Sequence, residues 1–222
     1  MKPNETFLKE NTIKKLSKIN NLPYPFKKKY QPLEKGNRKL FKNILSFSLL
    51  PVVTCPNCSQ CKKSCYDKKA LMYQQTRQKR QYNTWLALNH LERLESEIIN
   101  QIKGSRTVSY IRIHVGGDFF SAAYVDMWCR ISAWVAENKP HVKMYTYTRT
   151  NHTETLMNSG INVVQSILPD GRQNFGSMEY LNEIREMDNE WKICPVTLGH
   201  DVKCGKTCTL CMRQAKVLFV EH

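Results

Sequence analysis

From residue 44 onward the chain alternates two kinds of apolar pattern: short continuous runs, and longer stretches with apolar positions every three or four residues. Residues 44–53, from Ile44 through Phe47, Leu49 and Leu50 to Val53, predict a buried strand. A long helix is predicted over roughly 69–102, where Trp85, Leu88, Leu91, Leu94, Ile98 and Ile102 form one stripe and Gly104 ends the element. Residues 108–115 predict a second strand, which runs into Gly116-Gly117-Asp118. Ser121 predicts the cap of a helix with Tyr124, Trp128, Ile131 and Val135 on one face. Strands at 142–149 and 161–168 flank a short helix, Thr153 to Asn158, that Gly160 closes. A loop over 169–176, a helix capped by Ser177 and reaching about Met187, and a short strand starting at Ile193 complete the pattern.

Strands alternating with helices at this pitch imply right-handed βαβ units and a parallel sheet. Four to five βα units fit, too few for an eight-fold barrel. The expected fold is therefore α/β, a partial (β/α) barrel or a curved parallel sheet. In such folds functional groups collect at the carboxyl ends of the strands. Two divisions are expected: a basic N-terminal arm over 1–43, where Pro23, Pro25 and Pro32 interrupt any long element, and a single α/β iron–sulfur domain over 44–222.

The iron–sulfur expectation comes from cysteine. Eight of nine cysteines fall in two knots, one near each end of the domain. Cys55, Cys58, Cys61 and Cys65 have the spacing C-x2-C-x2-C-x3-C, the run bacterial ferredoxins use for a [4Fe–4S] cluster, except that Tyr66 replaces the proline after the last Cys. Cys194, Cys204, Cys208 and Cys211 form the second. Zinc sites usually split their thiols into two pairs around a longer loop, so spacing favours iron–sulfur at the first knot; Cys204-x3-Cys208-x2-Cys211 still has cluster spacing, but zinc is more credible at the second knot than at the first. The opening residues are polar with no apolar core of a leader after them, and no run is long enough to span a membrane. A cytoplasmic location is expected, where clustered thiols mean metal before disulfide. Cys129, on the face of a tryptophan-bearing helix, is expected in the core.

Charge adds a partner. The net charge is +15, and residues 1–42 carry +9 of it, with twelve Lys/Arg against three Glu. Lys62, Lys63, Lys68, Lys69, Arg77, Lys79 and Arg80 lie around the first knot, opposed only by Asp67. A phosphate-rich partner fits such an excess, and nucleic acid bound through the N-terminal arm is expected. Arg149 and Gln165 lie near strand ends and are candidates to bind a substrate carboxylate or phosphate; structural pairing is the competing reading for each. His114 reads as a core histidine.

Two resemblances build on these motifs. A strand, a Cys-rich loop, a helix and a second strand ending in Gly-Gly-acid resembles the opening of radical S-adenosylmethionine (SAM) enzymes. That resemblance implies that Gly116, Gly117 and Asp118 contact SAM, that Asp118 is a catalytic residue, and that three cysteines hold a cluster with one open iron. Here Cys61 and Cys65 match, but Lys68 stands where the third Cys belongs, so Cys58 or Cys55 would have to serve. The more extensive resemblance covers about residues 40–215. It runs through Thr54-Cys55-Pro56, Cys65-Tyr66-x-Lys68, His114-x-x-Gly117-Asp118-Phe119, Trp128, Tyr145-Thr146-Tyr147-Thr148 and Cys194-Pro195-x-Thr197 with three further Cys. This ordered set is similar to the phage gene-product-eighty-eight family of small cysteine-rich proteins, and implies a phage or mobile-element origin and two metal centres. The functions expected are radical SAM-like chemistry on a nucleic acid or nucleotide, a non-catalytic iron–sulfur protein that binds DNA or RNA, or a zinc-stabilised nucleic-acid-binding module.

Overall fold

The computed structural model describes residues 30–37, 39–58, 62, 65–168, 170–213 and 215–221. Of the expected basic arm, residues 1–29 lie outside these. Residues 30–37 and 39–43 are built into the body instead of forming an extension. Leu33 and Leu40 are buried, and the Leu33 amide donates to Gln101 Oε1 at 2.8 Å. Glu34–Lys35 is the first strand, β1, antiparallel to β2 at Ile44–Ser46.

From β2 the sheet is parallel. It continues through β3 (Tyr110–Ile113), β4 (Lys143–Thr148) and β5 (Asn162–Gln165), in the order β1-β2-β3-β4-β5. Strands in sequential order joined by right-handed crossovers carry all their helices on one face. That face buries Leu45, Ile111, Ile113, Met144 and Val163. Above them lie the helices Gln74–Asn89 (α2), Leu91–Gly104 (α3), Ala122–Asn138 (α4) and Thr153–Asn158 (α5). A one-turn helix, α1 at Asp67–Ala70, precedes them. The result is an open sheet with β1 and β5 at its edges.

The predicted helix over 69–102 is two helices. Asn89 and His90 are weak helix formers, and His90 turns out of the helix with φ −142° and ψ 59°. The break lets α2 meet the chain after β2 on its own terms. Asn83 Nδ2 donates to the carbonyls of Pro32 and Ser48, both at 3.0 Å, and Thr84 Oγ1 accepts the Leu50 amide at 3.0 Å. α3 keeps the expected stripe of Leu94, Ile98 and Ile102. Both predicted serine caps are present: Ser121 Oγ accepts from the Tyr124 amide and Ser177 Oγ from the Tyr180 amide.

A second sheet has the order β6-β8-β7, all parallel, from Phe175–Gly176 (β6), Val217–Val220 (β8) and Lys192–Ile193 (β7). Helix α6, Met178–Met187, covers it through Leu181 and Ile184. No helix among the described residues is long and apolar enough to cross a membrane.

Candidate metal centres at the two cysteine knots

The first knot starts where the chain leaves β2. Phe47 and Leu49 still hydrogen-bond toward β3, donating to the carbonyls of Arg112 and Gly116. The backbone then turns at Val52, whose φ of 70° is in a region that β-branched residues avoid. Cys55, Cys58 and Cys65 follow, each half-buried. Cys61 lies outside the described residues. Three tethers hold this segment over the carboxyl ends of the parallel strands. The Asp118 amide donates to the Thr54 carbonyl at 3.3 Å. Asn57 Nδ2 donates to the Arg149 carbonyl at 2.8 Å, just past β4. Tyr66 Oη donates to the Val115 carbonyl at 2.6 Å, just past β3.

The Gly116-Gly117-Asp118 turn thus sits beside the first knot, as its place in the chain implied. Both glycines are required by close approach. A Cβ on Gly116 would lie 1.7 Å from Asp67 Oδ2, and one on Gly117, at φ +86°, would lie 2.6 Å from Leu49 Cβ and 2.7 Å from Thr54 Oγ1. Asp67 forms an ion pair with Arg80 in which each side chain is 4% exposed. Burial pushes the Asp67 pKa up even with Arg80 against it.

Asp118, expected to face SAM, is held by protein donors. Its Oδ1 accepts from the Phe119 amide at 2.8 Å and from Thr148 Oγ1 at 2.7 Å; its Oδ2 accepts from the Arg149 amide at 3.0 Å. The side chain latches the end of β3 to the end of β4. Burial raises its pKa to about 6, against the pull of these hydrogen bonds. Gln165 donates to Thr153 Oγ1 at 3.1 Å, and the Arg149 guanidinium lies 5.7 Å from the Phe175 ring centre. His114, with φ 61°, is buried and pairs through Nε2 with Tyr124 Oη at 2.9 Å, and burial lowers its pKa to about 3. Cys129 is half-buried at the edge of the main core.

The second knot covers the other face of the sheet. Residues Ile44, Tyr110, Tyr145, Tyr147 and Val164 point away from the helices and pack against Cys194, Cys204, Cys211 and Met212. Backbone pairing fixes the arrangement. The Cys204 carbonyl accepts the Phe41 amide at 2.9 Å, the Cys194 amide donates to Leu218 at 2.8 Å, and Asn162 Nδ2 donates to the Cys211 carbonyl at 2.9 Å. Gly205 returns its amide to the Cys208 carbonyl at 2.8 Å. The thiols are electrostatic neighbours: Cys204 interacts with Cys194 and Cys208, and Cys211 with Cys194 and Cys204. Burial raises the pKa of Cys204 and pushes that of Cys211 up to about 12, so a metal entering here must displace protons. Among the described residues, no group of three or more His, Cys, Asp or Glu is close enough to hold a single metal ion.

Arg112, on β3, lies between the two knots. Its guanidinium is 4.8 Å from the Tyr147 ring centre, and its Nε is buried with no hydrogen-bond partner. Burial pulls its pKa down, but Tyr66, Tyr147, Tyr145 and Cys211 together more than offset this, and the net shift is upward. Among the described residues no carboxylate forms an ion pair with it.

The model of the Gene product 88 family matches residues 26–209. The chain belongs to that family. The match confirms the phage family to which the ordered motifs pointed, and it takes in seven of the eight clustered cysteines, Cys211 lying two residues beyond it. No curated protein and no solved structure matches the chain significantly. The radical SAM resemblance finds no support in these comparisons. For this member of the Gene product 88 family, sequence reasoning missed three site residues. Arg112 was read only as one residue of the predicted strand over 108–115. Asp67 and Arg80 appeared as part of a basic run, although an acid thirteen residues before an arginine, beside a Gly-Gly turn, was a readable signal.

Proposed function

We propose that this Gene product 88 protein is a non-catalytic iron–sulfur protein, with a structural cluster at Cys194, Cys204, Cys208 and Cys211 and a second cluster at Cys55, Cys58, Cys61 and Cys65. Arg112 carries the reading. Arg112 is half-buried with its Nε fully buried; a guanidinium so placed without a carboxylate partner is costly unless a countercharge is at hand, and a thiolate cluster is net negative. The donor set is all sulfur, which suits iron–sulfur or zinc. A tetrahedral zinc ion would bring its sulfurs within roughly 3.8 Å of one another, whereas an iron–sulfide cube spreads its ligands over its corners and accepts thiols that stand farther apart. Such a cluster supplies a covalent cross-link of the chain and one-electron redox chemistry.

The engagement of Asp118 by Thr148, Phe119 and Arg149 favours the non-catalytic form over SAM chemistry, because three of the carboxylate's roughly four acceptor sites are taken by protein donors and the residue is buried. A nucleic-acid partner, drawn by the basic residues 1–43, belongs to the same reading. The deciding experiment is anaerobic purification with iron, acid-labile sulfide and zinc counted per chain. About four irons and four sulfides per cluster support the proposal; stoichiometric zinc in colourless protein overturns it. Release of 5′-deoxyadenosine on adding SAM and reductant would restore the enzymatic alternative.

A further inference from the structure

We propose that the surface turn after the first knot, residues 66–77, binds single-stranded nucleic acid. This goes beyond the cluster reading and holds whether or not the thiols carry iron. Tyr66, Met72 and Tyr73 are 64%, 76% and 68% exposed. Of the large apolar side chains exposed among the described residues, the aromatic ones are these two tyrosines. Lys68, Lys69 and Arg77 are exposed between and beside them.

The segment is one continuous surface. α1 is a single turn, and backbone bonds from Met72 to Lys69, Tyr73 to Ala70 and Arg77 to Tyr73 fold the rest back on it. Arg77 Nη1 donates to the Leu71 carbonyl at 3.1 Å, and Lys68 Nζ to the Lys62 carbonyl. None of the three cations forms an ion pair with a carboxylate among the described residues. The one acid of residues 62–80, Asp67, is buried against Arg80 and adds no negative charge to the surface.

Open rings interleaved with unneutralised cations match a chain that offers bases and phosphates alternately. Only an unpaired strand exposes base faces for the rings; a duplex keeps them stacked. The tether from Tyr66 Oη to Val115 fixes the turn at the strand ends, so the strand would pass across the first knot. Tyr66 is mostly exposed, and burial near its hydroxyl, which donates to the Val115 carbonyl, raises its pKa.

The test is fluorescence anisotropy of the full chain with a labelled oligothymidylate of about 20 nucleotides, longer than a typical single-strand site. Tyr73→Ala should weaken binding about tenfold, and Tyr73→Phe should restore it. Lys68→Glu with Lys69→Glu should weaken binding and reduce the slope of log K against log salt by about 1.4. Lys143→Glu, at the amino end of β4, should leave binding unchanged, and a duplex of equal length should bind more weakly. Circular dichroism confirms that each variant is folded. The proposal is overturned if the oligonucleotide does not bind at low salt, if the Tyr73 and lysine variants bind like the parent, or if anionic vesicles bind and the oligonucleotide fails to displace them. Iron counted on the same samples separates the two readings: binding without iron sinks only the cluster proposal, and iron without binding sinks only this one.

Discussion

Replacing Gly116 by alanine should dislodge the first knot by way of Asp67, which precedes Gly116 by 49 positions in sequence. The new methyl would stand 1.7 Å from Asp67 Oδ2 and 2.6 Å from its Cγ. Asp67 cannot yield cheaply, because it and Arg80 are each only 4% exposed and are paired. Displacing the carboxylate leaves both charges buried and unmatched, which costs about 3–5 kcal/mol. For a chain of this length each kcal/mol lowers Tm by about 2–4 °C, so the expected fall is roughly 6–20 °C. The assay is thermal unfolding by circular dichroism, on four proteins forming a cycle: parent, Gly116→Ala, Asp67→Ala with Arg80→Met, and all three changes together. Once the carboxylate and guanidinium are gone, the methyl has room, and adding it should cost less than about 1 kcal/mol, so the two perturbations couple strongly. A Gly116→Ala protein melting within about 2 °C of the parent, or an equal penalty in both backgrounds, would refute the reasoning.

Asp118 sets a pH dependence of defined sign. Its folded pKa of about 6 is above the ordinary 3.8, so the folded state holds the proton more tightly, and stability is lost as pH rises from about 4 to 6. Above that window the loss is constant, about 3 kcal/mol. The unfolding free energy of the parent minus that of Asp118→Asn should fall across pH 4–6 and then level off; urea titrations at each pH check this, and a flat or rising difference would contradict it. Arg112→Met should lower the reduction potential of a cluster at the second knot by tens of millivolts, the Coulomb effect of one lost unit charge, while iron content changes little; redox titration followed by EPR reads this, and an unmoved potential removes Arg112 as the countercharge. Cys194→Ser should remove about half of the iron and sulfide, measured on the anaerobic protein; full retention would mean that the second knot holds no cluster.

Local signals were legible. The serine at 121 and that at 177 cap helices because capping is decided within three residues. The helix Thr153–Asn158 and the parallel strands follow from apolar periodicity alone. The meeting of the first knot with Gly116-Gly117-Asp118 was readable too, since both follow strands that had to run parallel. The role of Asp118 was not. Two of its three partners, Thr148 and the Arg149 amide, are some thirty residues away, and only the pairing of β3 with β4 brings them to the carboxylate.

What residue order settled by itself is the parallel α/β pattern, the two thiol knots and membership of the Gene product 88 family. Tertiary structure alone decided what covers the second face of the sheet. There Val217–Val220 becomes a strand only because β6 and β7 supply its partners from distant segments, and the C-terminal thiols reach Tyr145, Tyr147 and Arg112 only through that packing. The physical reason is range. Capping and periodic burial are set by neighbours along the chain, whereas the charge environment of a half-buried arginine is set by whatever the fold lays against it.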